Sequence, residues 1–284
     1  MNSHAATLPV SYLFVPGNRP DRFDKALDAG ADIVIIDLED AVAPQDKASA
    51  RDKCAQWCAS KIEFASRIVV RINDAASEWF EADLALLRIA GILGAMLPKA
   101  ESASQIDRVT AILTPAAGVI PIVIPIIESA RGLLNVDTIA AAGGVQRLAF
   151  GTLDYALDLD LSGDERGLIY PASRIALASR VAGIASPIAG VTADLRNEDA
   201  LLADLAFARA CGFGAKLCIH PKQLAAIHRA LAPTADEVAW ARRVLAAAQA
   251  GQGAVQVDGK MVDRPVLLKA QAILERHTEQ PPHA

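Results

Sequence analysis

The feature that most constrains this chain is a repeated alternation between apolar segments of strand length and longer segments of helical length. Gly, Pro, Asn and Asp bound the apolar segments, as expected for strands that end in turns. Eight strands with intervening helices are typical of a (β/α)8 TIM barrel. The predicted strands are residues 12–15, 33–37, 68–72, 95–98, 122–127, 147–150, 188–191 and 216–219.

The length and composition fit one barrel followed by an extension. With 284 residues, 52% of them hydrophobic and 5% aromatic, the chain can cover parallel strands with helices. We predict a TIM-barrel catalytic domain over 1–233 and a C-terminal helical extension or lid over 234–284. In the extension we expect a helix at 234–250 and a Gly-rich loop at 251–260. A last helix would present an apolar face of Val266, Leu267, Ala270, Ile273 and Leu274.

The charge balance argues against nucleic acid as a partner. The sequence has 28 Lys and Arg against 33 Asp and Glu, a formal net charge of -5. Its longest apolar stretch, 116–127, contains prolines and is too short to cross a bilayer. The first residues lack the basic region of a secretory signal, and the four cysteines show no paired framework. We therefore expect a cytoplasmic protein with reduced thiols and no membrane partner.

Two carboxylates end neighbouring apolar runs and predict a metal site. Glu128 follows one predicted strand and Asp154 follows the next, 26 positions later (154 minus 128). If both strands are parallel neighbours, their carboxyl ends lie on one rim, so both side chains can converge on one ion. Hard oxygen ligands suit Mg²⁺, which fills its octahedron with water and substrate. The alternative is that Glu128 and Ser129 merely open the following helix.

Charged residues of both signs follow most of the predicted strands. In a barrel enzyme these loops carry the chemistry, so the rim could hold a divalent cation together with an anionic substrate. We expect Arg71 to contact the reacting substrate, because its guanidinium offers a fixed fork of donors. Its alternative role is an ion pair with Glu39 or Asp40. The charged loop residues are Asp37, Glu39, Asp40, Arg71, Asp74, Lys99, Glu101, Glu128, Asp154 and His220.

Three further residues are weaker candidates for substrate binding. Arg19 lies in a turn that opens the first helix and could meet a carboxylate, although a solvated arginine is an equal alternative. Gly151 and Thr152 precede Asp154 in a tight turn whose backbone N–H groups could approach substrate. Glycine is also common in such turns simply because it adopts backbone conformations that are unfavourable for other residues.

Seven blocks of sequence resemble one known family. They are LFVPGNRPDRFDKA, DIVIIDLEDAVAPQDKASAR, VVRIND, MLPKAES, PIIESARGLLN, LAFGTLDYALDL and KLCIHPKQL. In this order, from Ser11 to about Ala272, they resemble the citrate lyase β-subunit group of the HpcH/HpaI aldolase superfamily. The resemblance implies a TIM barrel, Mg²⁺ held by Glu128 and Asp154, and substrate contact by Arg71. It also implies a homo-oligomer, a trimer or a hexamer.

The resemblance implies that a carbon–carbon bond is made or broken in an acyl-CoA ester of a hydroxy acid. We expect cleavage of a 3-hydroxyacyl-CoA thioester, such as a citryl, malyl or citramalyl ester, into a 2-oxo acid and an acyl-CoA. The acyl group and the direction stay open. The alternatives are a malyl-CoA thioesterase, a divalent-metal pyruvate aldolase acting on free acids, and a β subunit that needs an acyl-carrier partner. The aldolases carry a histidine where this chain has Asp40.

Asp263 has two competing interpretations. It stands just ahead of a Pro-containing first helical turn, where an aspartate is a natural N-cap. In relatives similar to malyl-CoA lyase, the matching aspartate lies on a C-terminal lid over the site of a neighbouring subunit. The resemblance therefore implies that Asp263 is a general acid or base.

Overall fold

The computed structural model describes residues 8–89, 91–113, 120–250 and 255–279. The chain divides into two compact units, and each is described by itself. One unit spans Pro9–His228, and Leu8 and the chain from Arg229 onwards belong to the other. This division falls a few residues before the boundary predicted between 233 and 234. Part of the apolar stretch at 116–127 lies outside the described residues.

The first unit is a closed barrel of eight parallel strands in sequential order, which confirms the predicted fold class. Pairing of the first strand with the eighth, with Ser11 opposite Lys216, closes the barrel. The sixth and seventh strands are shorter than predicted, with two residues each. The strands are β1 Ser11–Pro16, β2 Ile33–Asp37, β3 Ile68–Arg71, β4 Gly94–Leu97, β5 Ile122–Ile127, β6 Ala149–Phe150, β7 Ile188–Ala189 and β8 Ala215–Cys218.

Helices follow the strands around the barrel. Short 3-10 helices at Pro20–Arg22, Pro44–Asp46, Ile62–Arg67 and Pro221–Gln223 accompany them. The α-helices are α1 Phe23–Asp28, α2 Lys47–Ser60, α3 Phe80–Leu86, α4 Ala103–Thr110, α5 Ala130–Leu134, α6 Val136–Ala140, α7 Thr152–Asp158, α8 Arg166–Val181, α9 Glu198–Ala210 and α10 Leu224–Leu231. Between β5 and β6, the chain breaks at Asn135 into two helices, where its side chain donates to Glu101 O at 2.7 Å.

The barrel interior is filled by residues at alternating strand positions. Tyr12 on β1, Ile33 and Ile35 on β2, and Ile124 and Ile126 on β5 belong to one buried cluster. Successive side chains of a strand point to opposite faces, so the intervening residues face the helices. This alternation fixes which side chains can reach the cavity at the end of each strand.

The second unit pairs two helices with a hairpin. It contains α11 Ala235–Ala250, β9 Val255–Val257, β10 Lys260–Val262 and α12 Arg264–Glu279. The prediction of a loop over 255–260 was wrong, because Asp258-Gly259 forms a two-residue turn between the strands, with φ of 53° and 74°. The rest of that loop, 251–254, lies outside the described residues.

The apolar face of α12 is covered within the same unit. Ala270 and Ile273 are buried against Val238, Ala241 and Val244 of α11, and Val266, Leu267 and Leu274 pack beside them. The helix α11 therefore supplies a matching apolar stripe for this face. The homo-oligomer itself stays a prediction. No helix in the described part of the chain is long and apolar enough to span a bilayer.

Candidate active site

A cavity of about 370 Å³ lies at the carboxyl ends of the barrel strands. Its polar lining comes from the loops after β2, β3, β5 and β6, as expected for an enzyme of this architecture. Five of the seven predicted site residues meet here. The cavity is lined by Arg71, Glu128, Gly151, Thr152 and Asp154, together with Asp37, Asp40 and apolar residues such as Phe14 and Ile126.

The Arg71 side chain is held in place by carboxylates of the loop after β2. Asp37 and Arg71 are register partners at the ends of β2 and β3. Arg71 donates from Nε to Oδ1 and from Nη2 to Oδ2 of Asp37, both at 2.7 Å. Nη1 lies 2.8 Å from Glu39 Oε2 and 3.5 Å from Asp40 Oδ2. The ion pairs with Glu39 and Asp40 are therefore present, and Asp37 is the main partner.

The guanidinium carbon of Arg71 also lies 4.8 Å from the centre of the Phe14 ring. Burial would lower the pKa of Arg71, but the charges and hydrogen bonds of Asp37 and the charge of Glu39 raise it overall. The side chain therefore stays cationic in a site that is largely removed from water. Its position is fixed from three sides before any ligand binds.

The loop that carries these carboxylates is clamped by a buried lysine. Lys47 of α2 donates from Nζ to Leu38 O and Glu39 O, both at 2.8 Å, and to Asn73 Oδ1 at 2.6 Å. Asn73 Nδ2 in turn donates to Leu38 O at 3.1 Å. The backbone from which Glu39 extends is thus fixed by side chains from α2 and from the loop after β3.

Glu128 lies directly after β5 and is buried, with 4% of its surface exposed. Its Oε1 accepts a hydrogen bond of 2.6 Å from the backbone N–H of Lys99. The following Ser129 caps α5, since its Oγ accepts from Gly132 N at 3.1 Å. The helix-opening alternative is therefore correct for Ser129, while Glu128 itself points its carboxylate to the cavity lining.

Gly151 makes room for the Glu128 carboxylate. A Cβ atom at this position would lie 2.2 Å from Glu128 Oε2 and 2.6 Å from Glu128 Cβ. The N–H of Gly151 donates to Ile127 O at 3.0 Å, and its contact with substrate stays a prediction. The neighbouring Thr152 begins α7, and the first N–H groups of a helix have no partner within the helix.

The site carries an excess of negative charge. Burial and the charges of Glu39 and Asp154 together raise the pKa of Glu128 to about 8, against the opposing effects of the hydrogen bond from the Lys99 N–H and of the Lys99 charge. Burial also raises the pKa of Glu39, although Arg71 and Lys99 oppose this. Carboxylates crowded in this way are stabilised in their ionised form by a bound cation.

The donor set fits Mg²⁺. Glu128 and Asp154 offer hard carboxylate oxygens on the same cavity, and Mg²⁺ takes its remaining ligands from water and substrate. Among the residues that the structure describes, no three or more His, Cys, Asp or Glu side chains form a metal-binding group. Thiolate or imidazole sites of the zinc type are therefore not found in that part of the chain.

The residues that line the cavity do not include the other two predicted site residues, Arg19 and Asp263. Arg19 is exposed and forms a two-pronged ion pair with Asp21, at 2.9 and 2.8 Å, outside the cavity lining. Asp263 belongs to the C-terminal unit, where its Oδ1 accepts from Val266 N at 3.1 Å at the start of α12. The N-cap interpretation of Asp263 is confirmed, and its role in catalysis stays a prediction.

Two residues important for this geometry were not among the predicted site residues. Asp37 could have been found from the sequence, because it ends its strand just as Arg71 ends the next one. Lys99 donates to Glu128 through its backbone and to Glu39 Oε1 through Nζ at 2.7 Å. No local pattern indicates such a double contact, since it joins loops 29 and 60 positions away in sequence.

Comparison with known proteins identifies the family. The family model for HpcH/HpaI aldolase/citrate lyase matches residues 10–221. The chain belongs to this family. It is 37% identical to the citrate lyase subunit beta-like protein of Deinococcus radiodurans, over 96% of this chain and 99% of that one. It is 33% identical to a (3S)-malyl-CoA thioesterase of Cereibacter sphaeroides, over 95% and 98%.

A solved structure is similar in fold over most of the chain. The CitE protein of Mycobacterium tuberculosis in complex with magnesium, acetoacetate and coenzyme A superposes with a TM-score of 0.81. The two sequences are 36% identical, over 96% of this chain and 99% of that one. The predicted family, the carbon–carbon lyase class and Mg²⁺ as the family's cofactor are thereby confirmed.

Gly151→Ala tests whether the space beside Glu128 is needed. We expect Mg²⁺ affinity to fall about 10–100-fold, because the new methyl group displaces the carboxylate of Glu128, a predicted metal ligand. Calorimetric titration of metal-free protein with MgCl2 measures it. Gly143→Ala is the matched control, since a Cβ there meets no atom within 4 Å. Equal Mg²⁺ affinity in both variants would show that the contact with Glu128 is unimportant.

Proposed function

We propose that this protein is a Mg²⁺-dependent lyase that cleaves a 3-hydroxyacyl-CoA-type thioester into a 2-oxo acid and an acyl-CoA. Citryl-CoA, malyl-CoA and citramalyl-CoA are the substrate types that fit. The observation that carries the proposal is one cavity with a fixed guanidinium and two convergent carboxylates. Similarity to a relative solved with magnesium and coenzyme A supports the choice of cofactor and of thioester.

Glu128 and Asp154 would hold the metal ion. When bound, Mg²⁺ supplies a Lewis acid that stabilises negative charge on the hydroxyl oxygen that becomes the ketone oxygen of the 2-oxo acid. The protein contributes the position of the two carboxylates. For Glu128, this position is fixed by the hydrogen bond from the Lys99 N–H and by the space at Gly151. Pre-positioned ligands reduce the ordering that binding requires.

Arg71 would hold the second developing charge. In cleavage, the substrate hydroxyl loses its proton, the bond between C2 and C3 breaks, and its electrons pass into the thioester as an enolate. Of the five N–H donors of the guanidinium, Nε and Nη2 each give one to Asp37, and Nη1 faces the carboxylates of Glu39 at 2.8 Å and Asp40 at 3.5 Å. The second N–H of Nη2 can bind the enolate oxygen or a substrate carboxylate without reorganisation at the moment of reaction.

Asp263 is the general acid–base in this proposal, supplied by a C-terminal lid of a neighbouring subunit in a trimer or hexamer. Its support is the family resemblance and the lack of histidine in the cavity lining among the described residues. Such a lid would also exclude water from the enolate. Arg19 remains a candidate for contact with the anionic part of coenzyme A.

A thioesterase is the second candidate, because one relative of similar identity bears that name. In that reaction water attacks the thioester, and a free hydroxy acid and CoA leave. The pyruvate aldolase alternative is weakened by Asp40, which stands where those enzymes have a histidine. A β subunit that needs an acyl-carrier partner would leave free CoA esters uncleaved.

A substrate panel separates these reactions. Purified protein with Mg²⁺ is incubated with citryl-, malyl- and citramalyl-CoA, and both products are identified by mass spectrometry. We expect a 2-oxo acid together with acetyl-CoA. A free hydroxy acid with CoA would instead establish the thioesterase, and no turnover of any CoA ester would contradict the proposal.

The metal site is tested by Glu128→Gln and Asp154→Asn. Each variant keeps the side-chain shape and removes a charge, so we expect Mg²⁺ binding and turnover to be lost together. Titration calorimetry and the product assay measure both. Asp107→Asn, on the exposed surface of α4, removes the same charge away from the cavity and should behave like wild type. Turnover in excess EDTA would exclude the metal.

Asp263→Asn separates the two roles of Asp263. Asparagine caps helices well but cannot take up a proton, so we expect a near-normal melting temperature and oligomeric state. Turnover should fall about 10²–10⁴-fold. Asp258→Asn removes the same charge from the same unit, breaking only an exposed pair with Arg243, and should keep turnover. Full activity in Asp263→Asn would show that Asp263 serves only as the N-cap of α12.

A further inference from the structure

Lys99 joins two parts of the cavity rim that the barrel order keeps apart. It follows β4, while its two partners follow β2 and β5. Its backbone N–H donates to Glu128 Oε1 at 2.6 Å, and its Nζ donates to Glu39 Oε1 at 2.7 Å. A single residue therefore contacts a carboxylate of the metal site and a carboxylate beside Arg71.

The backbone of Lys99 is in the left-handed region, with φ of 47°. This conformation is disfavoured for a residue with a Cβ atom and persists where the surroundings determine it. The next residue is fixed on both sides. Ala100 N donates to Ile126 O at 3.1 Å, and a Cβ at Gly132 would lie 2.6 Å from Ala100 O. The chain is thus held in the conformation that presents the Lys99 N–H to Glu128.

The Lys99 ammonium group also compensates charge. Glu39 and Glu128 are both buried, and the negative charge of Glu39 raises the pKa of Glu128. Burial lowers the pKa of Lys99, but the hydrogen bond and charge of Glu39 and the charge of Glu128 raise it overall. Lys99 therefore stays charged at a point where two buried carboxylates repel each other.

We propose that Lys99 is a positioning residue of this site, fixing Glu128 through its N–H and holding Glu39 beside Arg71 through its ammonium group. The inference rests on the proposed function, in which Glu128 serves the metal and Arg71 serves the substrate. Glu39 gives one oxygen to each cation, Oε1 to Lys99 and Oε2 to Arg71. Loss of the ammonium group frees Glu39 to turn toward Arg71 and shift the guanidinium.

Lys99→Met tests the ammonium group, because methionine keeps most of the unbranched side chain and the backbone N–H that donates to Glu128. We expect a folded protein, since the Lys99 side chain is 43% exposed. Mg²⁺ affinity should be unchanged or higher, because a neighbouring cation has gone. The kcat should fall about 10–100-fold with little change in KM. A loss of this size is expected when a group that contacts the reacting atoms, here the Arg71 guanidinium, is displaced by up to about 1 Å.

Lys99→Arg should restore most of the turnover, since arginine keeps the charge and hydrogen-bond donors. Lys53→Met, on the exposed face of α2, controls for the loss of one positive charge. Wild-type kcat in Lys99→Met, or loss of Mg²⁺ binding together with turnover, overturns the proposal. The first result would mean that the ammonium group is not needed, and the second that it acts on the metal site.

A double-mutant cycle shows whether Lys99 acts through Arg71. In an Arg71→Lys background, Lys99→Met should lower kcat little further, because the guanidinium it positions is gone. If Lys99→Met lowers kcat by the same factor in the Arg71→Lys background as in the wild type, the two residues act independently and the proposal is overturned. An Arg71→Lys variant with wild-type turnover would instead contradict the proposed role of Arg71.

A stability cycle tests the Lys99–Glu39 contact without any assay of turnover. Melting temperatures are compared for Lys99→Met, Glu39→Gln and the double variant. We expect a few degrees lost in Lys99→Met and a combined loss smaller than the sum. Additive losses overturn the proposal. This experiment does not depend on the reaction. It therefore tests the contact between Lys99 and Glu39 even when the wild-type protein cleaves no acyl-CoA ester.

Discussion

The closure of eight parallel strands is the constraint on which the rest of the site depends. Because β1 pairs with β8, every strand has neighbours on both sides and all carboxyl ends meet on one rim. Asp37 and Arg71 end adjacent strands in register, so their side chains can form two parallel hydrogen bonds. The same closure places Glu128 beside Gly151, one residue beyond the paired ends of β5 and β6.

The chemistry follows from how this rim handles buried charge. Arg71 is satisfied by carboxylates on the loop after β2, and that loop is in turn clamped by Lys47. Breaking a buried ion pair leaves an uncompensated charge and is strongly destabilising, so these contacts hold one another in place. Glu128 and Asp154 line the same cavity and, in the proposed function, hold the metal ion. The proposed reaction develops charge on two oxygens, one beside that ion and one beside Arg71.

The C-terminal unit has an apolar core of its own. Its two helices bury an apolar stripe against each other, and its hairpin turns at Asp258-Gly259. Asp263 therefore has a structural role at the start of α12 that does not depend on catalysis. One carboxylate oxygen of Asp263, Oδ1, accepts the capping hydrogen bond from Val266 N. A role in proton transfer would fall to the other oxygen, which an asparagine at this position could not perform.

The sequence by itself determined the alternation of strands and helices, the barrel, the family, and the convergence of Glu128, Asp154 and Arg71 on one rim. These follow from local periodicity and from strand ends, which a closed parallel sheet brings together. Only the tertiary structure decided that Asp37 is the main partner of Arg71, that Gly151 leaves space for the Glu128 carboxylate, and that Lys99 joins Glu39 to Glu128. It also placed Arg19 outside the cavity lining and covered the apolar face of α12 with α11. The reason is that contacts between side chains of different loops depend on strand register and backbone conformation, which no local pattern of residues encodes.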